Sequence, residues 1–278
     1  MRYGEAFRWP KPALRGSVSV ETAPEPRVVW QGSGDLADVF TGALWEVYAP
    51  MVDAPEAFMY LANGVYDAED AAAVFARYGP LSRDVKSGAA LPYTTYAEPV
   101  ALWLTEAARL RTAIGLRDGL ELNDPAQLTD YIRTGHTQKV QGTESAITFA
   151  ELGLVDADTE TNDAQKLMLL DVAGTTVQEK ARAALFGLVN AGLQGGVSLT
   201  VAASGKSVDL DVMPVDLRGA MWLQFTRTLI GEIVVTPCPS CGKWFAMSKE
   251  SAKRRKSYCS NACKQAAFRG RKPSEADL

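Results

Sequence analysis

The sequence predicts a mainly α-helical chain, of α+β type: a helical body with one small β-hairpin, then a small cysteine-bearing module at the C-terminus. Three observations predict this. Between Tyr96 and Leu120 the apolar residues Val100, Trp103, Leu104, Ala107, Leu110 and Ile114 recur at helical spacing and form one stripe. Two alternating runs, Val197–Val201 and Ser207–Val212, flank a glycine-containing turn, as in a hairpin. All four cysteines of the chain lie between Cys238 and Cys263.

Those cysteines carry the clearest chemistry. Cys238 and Cys241 form a C-x2-C pair, followed by seventeen residues and then the C-x3-C pair of Cys259 and Cys263. Two close pairs at this separation suit the four ligands of one tetrahedral, structural zinc ion. Gly242, directly after the second sulfur, suits a knuckle, because glycine tolerates positive φ and lets backbone N–H groups face thiolates. Ser260 is a candidate N-cap, which places Cys263 in the first turn of a helix, where the positive dipole end favours a thiolate. Disulfides and inert core thiols are the competing uses. A chain of 278 residues buries a large core without disulfides, and inert thiols have no reason to fall in two tight pairs. A catalytic zinc keeps an open position and usually recruits His or Glu. The one histidine, His136, lies in a loop about a hundred residues upstream and reads as a loop residue. The expectation is therefore one Zn2+ on Cys238, Cys241, Cys259 and Cys263, in a finger of treble-clef or ribbon type.

Charge is distributed unevenly. From Lys243 to Lys272 there are ten basic residues and one acid, Glu250, a net of +9. The whole chain carries −4, so the remainder carries −13. A basic end on an acidic body points to a polyanion-binding module. The candidate contacts are Lys253, Arg254, Arg255 and Lys256 between the cysteine pairs, and Lys264, Gln265, Arg269, Arg271 and Lys272 in and after the last helix. Lys264, Phe268 and Arg271 share one helix face. A solvated surface and a docking site for an acidic protein remain as other readings of the same charge. Trp244, Phe245 and Tyr258 read as the minimal core of the finger ahead of base-stacking platforms.

Composition marks an ordinary soluble globular chain, with 47% hydrophobic and 22% charged residues. No apolar run of about 18 residues implies a membrane span, and the N-terminus lacks the apolar core of a signal peptide. Metal-committed cysteines suit a reducing compartment; the expectation is a cytoplasmic, bacterial protein.

Residues 1–34 read as a proline-rich arm, with β-like runs at Val18–Val20 and Val28–Trp30. Residues 35–232 read as the helical body. Asp35 caps a helix reaching about Tyr48; Pro55–Ala62 is a short helix; Asp67 caps one that runs to Tyr78 and stops at Gly79-Pro80. The long amphipathic helix spans about Tyr96–Leu120, Asp124-Pro125 opens the next, and a helical pattern runs from Asp163 to about Leu193. Ser204–Ser207 resembles the end of a phosphate loop but lacks the upstream glycine and the following helix. Pro214 begins the last body helix, ended by Gly231, and Ile233–Val235 is a strand leading into the finger, residues 233–278. No flexible linker separates the two, so a rigid junction is expected. No nucleophile–base pair or convergent carboxylate pair is visible, so no catalysis is expected.

A helical acidic body, a late hairpin, a helix, then Cys-x-x-Cys-Gly-Lys-Trp-Phe, a basic stretch and Tyr-Cys-Ser-Asn-Ala-Cys together resemble the bacterial family of stress-induced transcription regulators, which carry an N-terminal ABATE domain and a C-terminal CGNR-type zinc finger. Leu61-Ala62-Asn63 and the segment Ala71–Leu81 are similar to the start of that body. The resemblance covers best Cys238 to Arg271. The Cys-Gly-Asn-Arg signature of the family stands here as Cys263-Lys264-Gln265-Ala266, which keeps the ligand and alters the residues after it. The resemblance implies four zinc ligands, DNA association and no catalysis. The function expected is thus a nucleic-acid-binding regulator, DNA ahead of RNA, whose body senses a ligand, binds a protein partner or forms a homodimer. The alternative is a protein-interaction adaptor that uses the finger as a rigid docking module.

Overall fold

Residues 2–3, 7–12, 16–22, 25–32, 45–82, 95–134, 137–140, 143–146, 176–204, 207–249, 252 and 257–270 are described by the computed structural model. In chain order the elements are β1 (Arg2–Tyr3), β2 (Trp9–Pro12), β3 (Gly16–Glu21), β4 (Arg27–Gly32), β5 (Trp45–Tyr48), α1 (Pro50–Asp53), α2 (Ala57–Gly64), α3 (Ala68–Tyr78), β6 (Thr95–Pro99), α4 (Val100–Leu122), α5 (Pro125–Thr134), β7 (Thr137–Val140), β8 (Thr143–Ala146), α6 (Val177–Leu193), β9 (Val197–Ser204), β10 (Ser207–Pro214), α7 (Leu217–Leu229), β11 (Ile233–Pro237), β12 (Trp244–Ser248) and α8 (Asn261–Gly270). Two compact units divide the chain, Met1–Leu223 and Gln224–Leu278.

The first unit is built on α4. Its apolar stripe is buried as the spacing requires, with Trp103, Ala107 and Leu110 fully enclosed. Helices α2, α5 and α6 pack against it. Burial extends past the stripe to Glu106, Arg111 and Thr112, and the two charged groups among them find structural partners. Glu106 accepts from Trp222 Nε1 at 2.9 Å and from Arg109 Nη1 at 2.9 Å. Arg111 Nη1 donates to the carbonyls of Ala62 at 2.7 Å and Val65 at 2.8 Å. Those carbonyls end α2, where the negative dipole end suits a cation. The guanidinium also lies 4.3 Å from the Tyr66 ring.

The local signals in the sequence set the helix ends. Asp67 accepts from Asp70 N at 2.9 Å and caps α3, which stops at Gly79 with φ of +87°. Asp124 Oδ1 accepts from Ala126 N and Gln127 N and opens α5 at Pro125. Thr176 and Glu179 form a capping box at the start of α6; the expected helical stretch 163–175 lies outside the described residues. Strands β9 and β10 pair antiparallel from Val197↔Pro214 to Ser204↔Ser207. Ser204 ends β9 and Ser207 opens β10, a strand where a phosphate loop would open a helix; Gly205 and Lys206 lie outside the described residues.

The expected α+β mixture with a late hairpin is present, and the strand content is larger than one hairpin: the chain mixes helix and strand with several small sheets. Strands β3, β4 and β6 form an antiparallel sheet, β2 pairs with β5, and β1 runs parallel to β10. Helix α3 packs on β2, β3 and β4, and Val28, Val29 and Trp30 are buried. Trp45–Tyr48, expected at the end of a helix, is β5; its Val and aromatic residues favour a pleated surface, and it is paired across Trp9–Pro12. The long helix begins at Val100, not Tyr96, because Thr95–Pro99 pairs with β4 as β6. Pro99 also biases Glu98 to extended backbone. Pro214 ends β10 rather than starting a helix; α7 begins at Leu217, with Asp216 Oδ1 accepting from Gly219 N at 2.7 Å. Among the described residues, no helix is long and apolar enough to cross a membrane.

In the second unit β11 and β12 pair antiparallel, from Ile233↔Ser248 to Pro237↔Trp244. Helix α8 comes after them in the chain.

Candidate metal centre

The β11–β12 hairpin closes over the knuckle Cys238–Lys243. Cys238 N donates to Lys243 O at 2.9 Å, and Gly242 N donates to Cys238 O at 2.7 Å. Gly242 takes φ of +71°, while a Cβ there would meet nothing within 4 Å. Backbone conformation, not space, selects glycine at this turn. The second pair lies at the start of α8. Ser260 Oγ accepts from Cys263 N at 3.2 Å, the cap expected from sequence.

These two local structures bring all four sulfurs within 4.8 Å of one another. Cys241 Sγ lies 3.6 Å from Cys259 Sγ, and Cys259 Sγ lies 3.5 Å from Cys263 Sγ. A disulfide requires about 2.05 Å, and all four cysteines are free. Four thiolates at about 2.3 Å from one ion stand about 3.8 Å apart at the corners of a tetrahedron. The donor set and the spacing thus fit a four-coordinate metal ion. It is the one group of metal-ligating side chains among the described residues.

The thiols of the cluster shift in opposite directions. The backbone N–H of Cys259 leads the donors that hold the Cys238 thiol down to about 6, with those of Ser240 and Cys241 behind it. The Ser260 hydroxyl, first, and then Cys259 lower Cys263. Cys259 is pushed up to about 12, chiefly by Cys263 beside it, then by burial and by Cys241. A metal cation held by these four sulfurs would favour the thiolate form of each.

Around the sulfurs the apolar content is small. Cys238, Phe245 and Met247 are buried, with Ala252, Tyr258, Cys259 and Cys263 packed against them. Phe245 and Tyr258 are therefore core residues, as expected, and Trp244 is half-buried. Strand β12 is absent from the sequence reading, although Phe245 and Met247 alternate inward in it.

Helix α8 starts within the second cysteine pair and carries Lys264, Gln265 and Arg269, all exposed. No acidic residue lies within it. Phe268, one turn after Lys264, is 78% exposed, which the helical wheel places but does not reveal. Lys253, Arg254, Arg255, Lys256, Arg271, Lys272 and His136 lie outside the described residues. In the body, the buried carboxylates accept internal hydrogen bonds: Glu98 from Leu81 N and Ser82 N, Glu106 from Trp222, Asp216 from Gly219 N. Burial raises the pKa of Asp216.

Comparison of the chain with family models, with curated proteins and with solved structures returned no match.

Proposed function

We propose that Cys238, Cys241, Cys259 and Cys263 hold one structural zinc in a treble-clef finger, and that this finger binds nucleic acid, DNA ahead of RNA, as part of a bacterial transcription regulator. Zinc is favoured by four cysteine sulfurs within 4.8 Å of one another, the donor set of structural zinc. The hairpin knuckle followed by a ligand-bearing helix supports the treble-clef reading. One observation supports the nucleic-acid reading above the others: a helix that begins at the metal site presents Lys264, Gln265 and Arg269 to solvent with no acid among them. The zinc ion orients this helix and contributes no chemistry to a reaction. The body is the regulatory part in this reading, and the protein is not an enzyme. The resemblance to the CGNR-type finger points the same way.

Fluorescence anisotropy with labelled DNA and RNA tests the reading. If about six cations meet phosphates, log affinity falls with log salt at a slope near −5 between about 50 and 200 mM. The double variant Lys264→Glu, Arg269→Glu loses most of that affinity and retains its zinc. Binding indifferent to salt, or no binding at all, rejects it. Nuclease-resistant capture of an acidic protein in place of DNA would instead support the adaptor reading.

A further inference from the structure

Among the described residues, Phe268 is the most exposed of the large apolar side chains that reach solvent, at 78%. A single exposed apolar residue needs no explanation by itself. Its company does. Lys264 lies four residues earlier on the same face, Arg269 is adjacent, and both are exposed. Of the three aromatic residues weighed above as stacking platforms, Phe245 and Tyr258 are used in the core around Cys238 and Trp244 is half-buried in β12, less exposed than Phe268. The finger thus presents an exposed aromatic ring on a helix free of acids, with one exposed cation a turn earlier on its face and another next to it in sequence.

An aromatic ring beside cations matches a particular ligand chemistry: a flat, uncharged π-face with phosphates on either side. Every nucleobase has that face, but in a duplex it is already stacked. Wedging a side chain between duplex steps costs a few kcal/mol per step. A single strand offers the face freely, and cationic grooves with stacking aromatics are how such strands are bound without sequence preference.

We propose that Phe268 is a base-stacking platform and that the ligand of the finger is single-stranded nucleic acid, held by Lys264 and Arg269 through the flanking phosphates. This rests on the nucleic-acid reading above and names its ligand class.

The test compares a single-stranded oligonucleotide, its duplex, and the same strand with central bases replaced by abasic linkers. The full chain with zinc bound is used throughout. The wild type is expected to prefer the single strand to the duplex and to lose affinity on the abasic strand. Phe268→Ala is expected to weaken single-strand binding by about 5- to 150-fold. The salt slope stays unchanged, since no phosphate contact is removed. Phe268→Trp retains affinity. In Phe268→Ala the abasic strand binds as well as the intact one. Unchanged zinc content and circular dichroism establish that the variant is folded. Salt-dependent binding that Phe268→Ala leaves intact, or an equal abasic penalty in both proteins, overturns the stacking proposal and leaves the nucleic-acid reading standing. A duplex preference overturns the ligand class alone. No binding to any oligonucleotide overturns both readings.

Discussion

The body and the finger solve the same problem with different means. Residues Met1–Leu223 enclose large side chains completely: Trp30, Phe58, Phe75, Trp103 and Trp222 are each essentially inaccessible. The unit Gln224–Leu278 contains a metal-site core in which only Cys238, Phe245 and Met247 are buried. Apolar burial contributes about 25 cal/mol per Å2, and few apolar side chains are buried around the cysteines, the setting in which small domains commonly add a metal staple. Cations differ in the same way. Arg111 is buried, and Nη1 is spent on two carbonyls at the end of α2. Lys264 and Arg269 stand in solvent. The difference teaches that enclosure of large apolar side chains marks the first unit and a four-cysteine cluster the second.

The sharpest break in this comparison is metal removal. Structural zinc contributes about 10–16 kcal/mol to finger peptides. A strong chelator should therefore unfold residues 233–270 and leave the body folded, seen as selective loss of amide-exchange protection in the finger. Elemental analysis should return one zinc per chain, and loss of protection in both units alike would end the distinction. The converse perturbation comes next. Trp103→Ala should destabilise the body by about 3–5 kcal/mol, read as a lower denaturant midpoint, with zinc content unchanged. A variant that lost zinc as well would show that the finger depends on the body core. The smallest effect is local. Asp67→Ala removes the cap of α3 and should lower the stability of the body by about 1 kcal/mol, with no change in the finger.

The features legible in the sequence are local or patterned at short range. Asp67, Asp124 and Ser260 cap the helices they precede, and Gly79 and Gly242 take the positive φ their positions require. The stripe of α4 is visible because helical periodicity needs only its own residues. The cysteine cluster is visible because metal ligation imposes spacing directly. Thr95–Pro99 and Trp45–Tyr48 escape a sequence reading for the opposite reason. Each is a short run whose strand identity depends on a partner distant in sequence, β4 for one and β2 for the other.

By itself, then, the order of residues determined the helix boundaries set by caps, the hairpin of Val197–Val201 with Ser207–Val212 and the membership of the cysteine cluster, since each arises from contacts within a few turns of chain or from ligand chemistry. Only the tertiary structure decided that short strands are assembled into sheets, that Glu106 and Arg111 are enclosed, and that Phe268 is bare while Phe245 is not. Exposure and strand pairing depend on which distant surface arrives, and no local pattern records that.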